Sequence, residues 1–322
     1  MKRLLALVLM QLKDKMDFSF AKDKKQLLIK TVLSVVKFIA ITVVCYFAVM
    51  LCRMALGLFN SYEIPSAMSF VIALFFVMAT LSSTISLVKT MYYSDDNKVL
   101  VTFPVSGNVV FVSKLIVFYF YELRKNLSLL APILLGFGLN LVSLGFAHWT
   151  FFVVMWFPLI VYTALPVFIG ALLSIPALYI YRFFSRFRWV GYAVFVAVLV
   201  ALIYGTISLI SIIPENLDLP NLWPTIVRPF IQNFLSGFES RFMAFTYLLN
   251  CFIGERHANY TYWCNWISVL KFLSLIAIAA ALFGLVFVTT RNLFYSMMRK
   301  SFEFDKDLSE KKIKNTKHGV KT

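Results

Sequence analysis

Long apolar runs, each close to or above the about 20 residues a helix needs to cross a hydrocarbon core, alternate along this chain with polar links. That alternation constrains the fold more than any motif does. Inside a bilayer every backbone N–H and C=O must be satisfied internally, so runs of this length read as α-helices. Six spans are expected: Thr31–Leu58, Met68–Val88, Val109–Leu144, Trp149–Tyr181, Trp189–Ile213 and Ile267–Leu293. Pro158, Pro166 and Pro176 mark kink sites in the fourth. Residues are 61% hydrophobic and 14% charged, against about 25% charged in a soluble domain. Mean hydropathy is +0.82. A soluble monomer is excluded, and so is a disordered chain, which needs low hydrophobicity. The 34 Phe and 15 Tyr suit lipid-facing helices with aromatic belts.

Lys and Arg total 31 against 15 Asp and Glu, for a net charge of +16. The basic residues lie between apolar runs, which argues against nucleic acid as the partner. Their placement orients the chain, because positive residues in short flanks stay inside. Residues 1–30 hold eight, and the stretch from Arg291 to Thr322 holds nine. Lys89, Lys98 and Lys114 flank the second link, and Arg182, Arg186 and Arg188 the fourth. The links Asn60–Ser66 and around His148 carry none. The expected fold class is all-α: a polytopic helical membrane protein of the cell membrane, with six transmembrane helices and both termini cytoplasmic. It divides into a basic interfacial helix (1–30), a six-span domain (31–298) and a basic cytoplasmic tail (299–322). The span domain includes a cytoplasmic segment, 89–108, and a long outer segment, 214–266.

The N-terminus lacks the marks of a cleaved signal: Leu4–Met10 is short, a charged stretch comes next, and no small-residue cleavage site is present. Leu4, Leu5, Val8, Leu12, Met16 and Phe20 recur at near-helical spacing, as in a helix lying in the interface. The alternative is a fraying basic arm. In the outer segment, Phe234, Phe238, Phe242, Phe245 and Leu248 share a helical face. They suit either a pair of short helices dipping into the outer leaflet or a cover over a partner's outer mouth. Cys45 and Cys52 sit in an apolar run as small hydrophobes. Cys251 and Cys264 lie in the outer segment, where a disulfide and two free thiols are both open readings.

No G-x-x-x-x-G-K-[ST] or H-E-x-x-H occurs, and His148, His257 and His318 are scattered. No enzymatic activity, bound cofactor or metal is expected in this chain, and no carrier-type internal repeat is visible.

The informative segment is Met91–Ser106. Ser94-Asp95-Asp96 suits a helix start, with acids at its positive end. Leu100 and Phe103 supply an apolar side, and Pro104 stops the helix. Such a helix offers a knob to a cytoplasmic partner, or else forms a capped loop on the lipid surface.

The run Tyr92–Ser106, with its Phe103-Pro104-Val105-Ser106 stop and the adjoining Val110-Phe111-Val112-Ser113-Lys114-Leu115, resembles the ABC type-2 exporter permeases. The likeness is in particular to the N-terminal half of a large bacterial branch of ABC exporters, and it covers roughly residues 1–305. The resemblance implies a non-catalytic permease subunit of an ATP-driven exporter. In such permeases this link is a coupling helix docked on the nucleotide-binding subunit, and Asp95, Asp96, Lys98, Leu100, Phe103 and Pro104 occupy the matching positions. ATP and Mg would be bound by that ABC ATPase partner. A second permease half or a second copy, within the lipid bilayer, would complete the path. Members of that branch often continue into a second membrane half, so a half-size permease and a truncated frame are both readings of the Lys-rich tail.

Glu122, Arg124 and Lys125 interrupt the third span. A charge at mid-membrane costs about 2.5 kcal/mol or more. Two readings fit: pairing of Glu122 with Lys125 near the cytoplasmic interface, or a role in the substrate path or in coupling. Two rival functions stand beside the exporter. One is a membrane scaffold or sensor using its basic tails; the other is an ion-coupled carrier acting alone, for which the Glu122 cluster is the available charge.

Overall fold

The computed structural model describes residues 2–15, 24–54, 63–93, 107–211, 227–256, 262–263 and 266–291. Its helices are α1 (Lys2–Lys15), α2 (Lys24–Met54), α3 (Glu63–Leu87), which runs on into a π-helical turn (Val88–Tyr92), and α4 (Gly107–Ser143). A short α5 (Phe151–Val154) leads into α6 (Trp156–Arg186) and α7 (Arg188–Ser211). Then come α8 (Arg228–Arg241), α9 (Met243–Ile253) and α10 (Trp266–Arg291). A two-residue antiparallel pair, β1 (Glu255–Arg256) and β2 (Tyr262–Trp263), lies between α9 and α10.

Five stretches are long and apolar enough to cross a membrane among the described residues: Leu28–Met54, Ile64–Tyr92, Gly107–Ser143, Phe151–Phe184 and Trp266–Thr290. The fold is thus an all-α, multi-pass membrane architecture. The expected fifth run forms α7, a 24-residue helix whose fully described apolar stretch is Tyr192–Ser208.

Lipid supplies little hydrophobic drive between helices, so close packing and internal hydrogen bonds hold such a bundle together. α3, α4 and α6 form its centre, with α2 along α4 and α10 along α6. Gly136 lets α2 and α4 meet: a Cβ there would stand 2.7 Å from Cys45 Cβ and 3.0 Å from the Thr42 carbonyl. One turn on, Asn140 Nδ2 donates to the Tyr46 carbonyl at 3.1 Å. The Tyr162 hydroxyl, fully buried, donates across to the Ile72 carbonyl of α3 at 2.8 Å. Thr80 and Thr84 satisfy their hydroxyls on carbonyls one turn back. Pro132 in α4, and Pro166 and Pro176 in α6, leave their helices unbroken.

α4 ends in a Schellman turn. Gly145 adopts φ of +76°, its N–H bonds the Val142 carbonyl, and the Phe146 N–H bonds the Leu141 carbonyl. The expected amphipathic stretch of the outer segment forms two helices, α8 and α9, packed on the first half of α3. Phe70 meets Phe234 and Phe238 edge-on, and Phe76 meets Phe245. Leu248, Leu249 and Phe252 of α9 enter the main core with Ile64, Met68 and Tyr162.

The first helix forms over Lys2–Lys15 and packs on the bundle through one side. Leu7 is buried, with Val8 and Leu12 half-buried, while Leu5 is 62% exposed. The helix carries a second apolar side, Leu5, Leu9 and Met10, turned off the bundle. α1 lies against α4, so the protein claims one of its apolar sides and leaves the other to the surroundings.

Candidate functional site

The residues expected to dock a partner, Asp95, Asp96, Lys98, Leu100, Phe103 and Pro104, lie outside the described residues. The structure does define the mount on either side of them. α3 does not end as a plain α-helix. It widens into the π turn Val88–Tyr92, closed by a bond from the Tyr93 N–H to the Lys89 carbonyl at 3.1 Å. Met91 and Tyr92 turn inward, each 1% exposed, against Val110, Phe111 and Leu115 of α4. Leu7 of α1 completes this cluster, and α6 contributes Val167, Ala171 and Leu178. Tyr92 meets the Ser174 hydroxyl, and the Tyr93 ring packs edge-on against Tyr181 at 5.6 Å. The two helix ends that carry segment 94–106 are therefore set in one apolar cluster shared by five helices, α10 contributing Val286.

Among the described residues, the charge of Lys114 sits beside that cluster. Lys114 is 3% exposed, and its ammonium donates to the Thr90 carbonyl within the π turn at 3.2 Å. Further along the same pair of helices, Lys125 Nζ donates to the Ser82 hydroxyl of α3 at 3.1 Å. Lys125 also stands 3.6 Å from the Glu122 carboxylate. α4 thus reaches α3 through two lysines, about 16 Å apart at 1.5 Å per residue.

The interrupting charges of α4 separate. Glu122 is buried at 2% exposure, and neither carboxylate oxygen has a hydrogen-bond partner. Lys125 is half exposed, and the two form the expected i,i+3 pair. Arg124 is exposed and is not brought to that pair. Ser83, beside Ser82, is also fully buried with its hydroxyl unpartnered. Gly170 of α6 lies close over it: a Cβ there would come within 3.0 Å of Ser83 Cβ.

Two features escaped the sequence reading. The π turn leaves no mark in the residue pattern. Lys114 was legible only as an early helix lysine, whereas its contact with Thr90 depends on how α3 and α4 pack. The Ser82-Ser83-Thr84 run was the available signal for the second contact.

Among the described residues no group of three His, Cys, Asp or Glu is placed to hold a metal ion. Cys251 is a free, buried thiol in α9; Cys264 lies outside the described residues. Cys251 borders a small apolar cavity of about 100 Å³, with Val154, Phe157, Pro158, Val269 and Phe272.

The helices and their contacts define a class: an all-α, multi-pass membrane protein with five stretches long and apolar enough to cross a membrane among the described residues. Compared with models of protein families, with curated proteins and with solved structures, the chain matches none.

Proposed function

We propose that this chain is the membrane-spanning permease subunit of an ABC-type exporter, driven by a separate ATPase that docks on residues 89–108. In this reading α7 is the sixth span, and even parity with the basic flanks places both termini in the cytoplasm of a cell-membrane protein. α1 lies in the cytoplasmic interface, with Leu7 toward protein and Leu5, Leu9 and Met10 toward lipid. A second permease half or a second copy completes the translocation path.

The observation that carries the reading is the mount of segment 94–106. A docking element must transmit force, and this one springs from two helix ends buried together in one cluster. The chain has no P-loop of its own, so the nucleotide chemistry falls to the partner. Asp95, Asp96 and Lys98 supply polar contacts in this scheme, and Leu100 and Phe103 the apolar anchor.

The test is a gentle-detergent pull-down of the tagged chain from its native host, with mass spectrometry of the co-purifying proteins. A P-loop ATPase is expected with the wild-type chain and lost with Asp95→Arg/Phe103→Ala at equal expression. Unchanged recovery with the double variant overturns the docking assignment. Monodisperse recovery of the wild-type chain alone moves the reading to a membrane scaffold.

A further inference from the structure

We propose that Lys114 is the positioning residue of the coupling joint: by holding the Thr90 carbonyl inside the π turn, it makes α3 and α4 swing as one lever when a partner pushes on segment 94–106. The inference rests on the permease reading and deepens it.

Burial makes Lys114 costly. An ammonium taken from water into an apolar cluster loses its hydration and recovers it only through bonds to the protein. The cluster beside it includes Val110, Phe111, Leu115 and Met91, and a methionine of similar length would suit those residues without that cost. What the lysine adds is direction: a bond at 3.2 Å from α4 to a carbonyl of α3. Its target is also particular. A π turn is wider than an α turn and is found disproportionately at functional sites, where helices change register. Left untied, the Val88–Tyr92 turn is where α3 would yield under load, and the push would be absorbed beside the link.

A single tie would still let the two helices pivot about it. The second lysine removes that freedom. Lys125 on Ser82 ties the same helix pair about 16 Å deeper along α4. Two ties plus the apolar cluster between Met91, Tyr92 and Phe111 define a rigid pair. Movement imposed at the link then appears at the opposite ends of α3 and α4, where α3 carries α8 and α9.

The experiment uses the complex of this chain with its co-purified ATPase in nanodiscs. Spin labels are placed at Trp149→Cys and Tyr204→Cys, both exposed positions outside the joint. Their distance is measured without nucleotide and with ATP plus vanadate. With Lys114 intact, nucleotide shifts the distance. Lys114→Met is expected to keep the ATPase bound and hydrolysing while the shift is lost, and Lys114→Arg, which still donates, is expected to restore it. A merely structural lysine would instead lower partner recovery and thermal stability together, with the shift preserved in whatever complex survives. If Lys114→Met does not fold, Lys114→Gln, too short to reach Thr90, gives the same reading. A full nucleotide-dependent shift in either folded variant overturns the proposal. If no ATPase co-purifies with the wild-type chain, the permease reading fails first and this one with it.

Discussion

Lys125 stands 3.6 Å from the Glu122 carboxylate, one turn back along α4, and its ammonium is shared with the Ser82 hydroxyl of α3. The carboxylate is buried, yet neither of its oxygens has a hydrogen bond. Lys125 is therefore what compensates Glu122. Removing the lysine alone leaves a buried charge uncompensated, which costs about 3–5 kcal/mol for a fully buried pair. Because Lys125 is half exposed, Lys125→Met is expected to cost less, about 1–3 kcal/mol. Glu122→Gln/Lys125→Met should recover part of that loss. Polar pairs inside membrane proteins couple by about 0.6–1.7 kcal/mol, and thermal unfolding of the four members of the cycle in one detergent measures it. Strictly additive losses would show that the pair carries no interaction.

The seam between α2 and α4 makes a second, steric prediction. Cys45 Cβ and the Thr42 carbonyl occupy the space a side chain at position 136 would need. Gly136→Leu must push α2 off α4 and break the Asn140 bond to Tyr46. Overpacking of this kind costs about 1–3 kcal/mol. The expected result is a lower melting temperature and faster hydrogen exchange in α2, with α9 unaffected. Gly205→Leu is the control, since nothing lies within 4 Å of a Cβ there. Equal effects at the two glycines would refute the seam.

The spans were legible because apolar length is a property of sequence alone. Helices α2, α3, α4, α6 and α10 form where the runs are, although α3 starts earlier than Met68 and α2 earlier than Thr31. Pairing between neighbours on one helix was legible too, as with Glu122 and Lys125. What the sequence did not reveal depends on which helix faces which. Lys114 looks like an ordinary flank lysine until α3 is packed against α4. Leu7 became the buried side of α1, and Leu5 did not, because α4 decides which of two apolar sides is covered. Nothing in Val88–Tyr92 distinguishes a π turn from an α turn, since the difference lies in which carbonyl each N–H reaches and not in residue type.

Cys251 predicts a pH dependence. Burial in α9 pushes its thiol up to about 11, with Lys271 pulling the other way. An ordinary thiol titrates near 8.5, and only the thiolate reacts. In the folded protein, alkylation at Cys251 should stay slow at neutral pH and rise as pH approaches 11, while the unfolded chain reacts readily near 8.5. The same difference acts on stability. Between the two values the unfolded chain binds fewer protons than the folded one, so the contribution is full below about 8.5 and declines as pH rises toward 11. Cys251→Ala should flatten that decline in a melting-temperature profile. Rapid alkylation of the native protein at neutral pH would mean the thiol is neither buried nor shifted.

The last prediction concerns how α8 is held. Phe70 of α3 meets Phe234 and Phe238 edge-on, at 5.4 and 5.3 Å between ring centroids. Phe238 in turn packs on Phe242 and Phe245. Each such aromatic pair contributes about 0.5–1.5 kcal/mol beyond the area it buries. Phe70→Ala removes two pairs at once and leaves the Phe238 stack tied to α3 through the Phe245–Phe76 pair. α9 keeps its own hold, because Leu248, Leu249 and Phe252 are buried in the main core. The expected outcome is local: faster hydrogen exchange and easier proteolysis across Arg228–Arg241, with Met243–Ile253 and α4 protected as before. Loosening of both helices together would show that α8 and α9 form one unit on α3, held as a block instead of by Phe70.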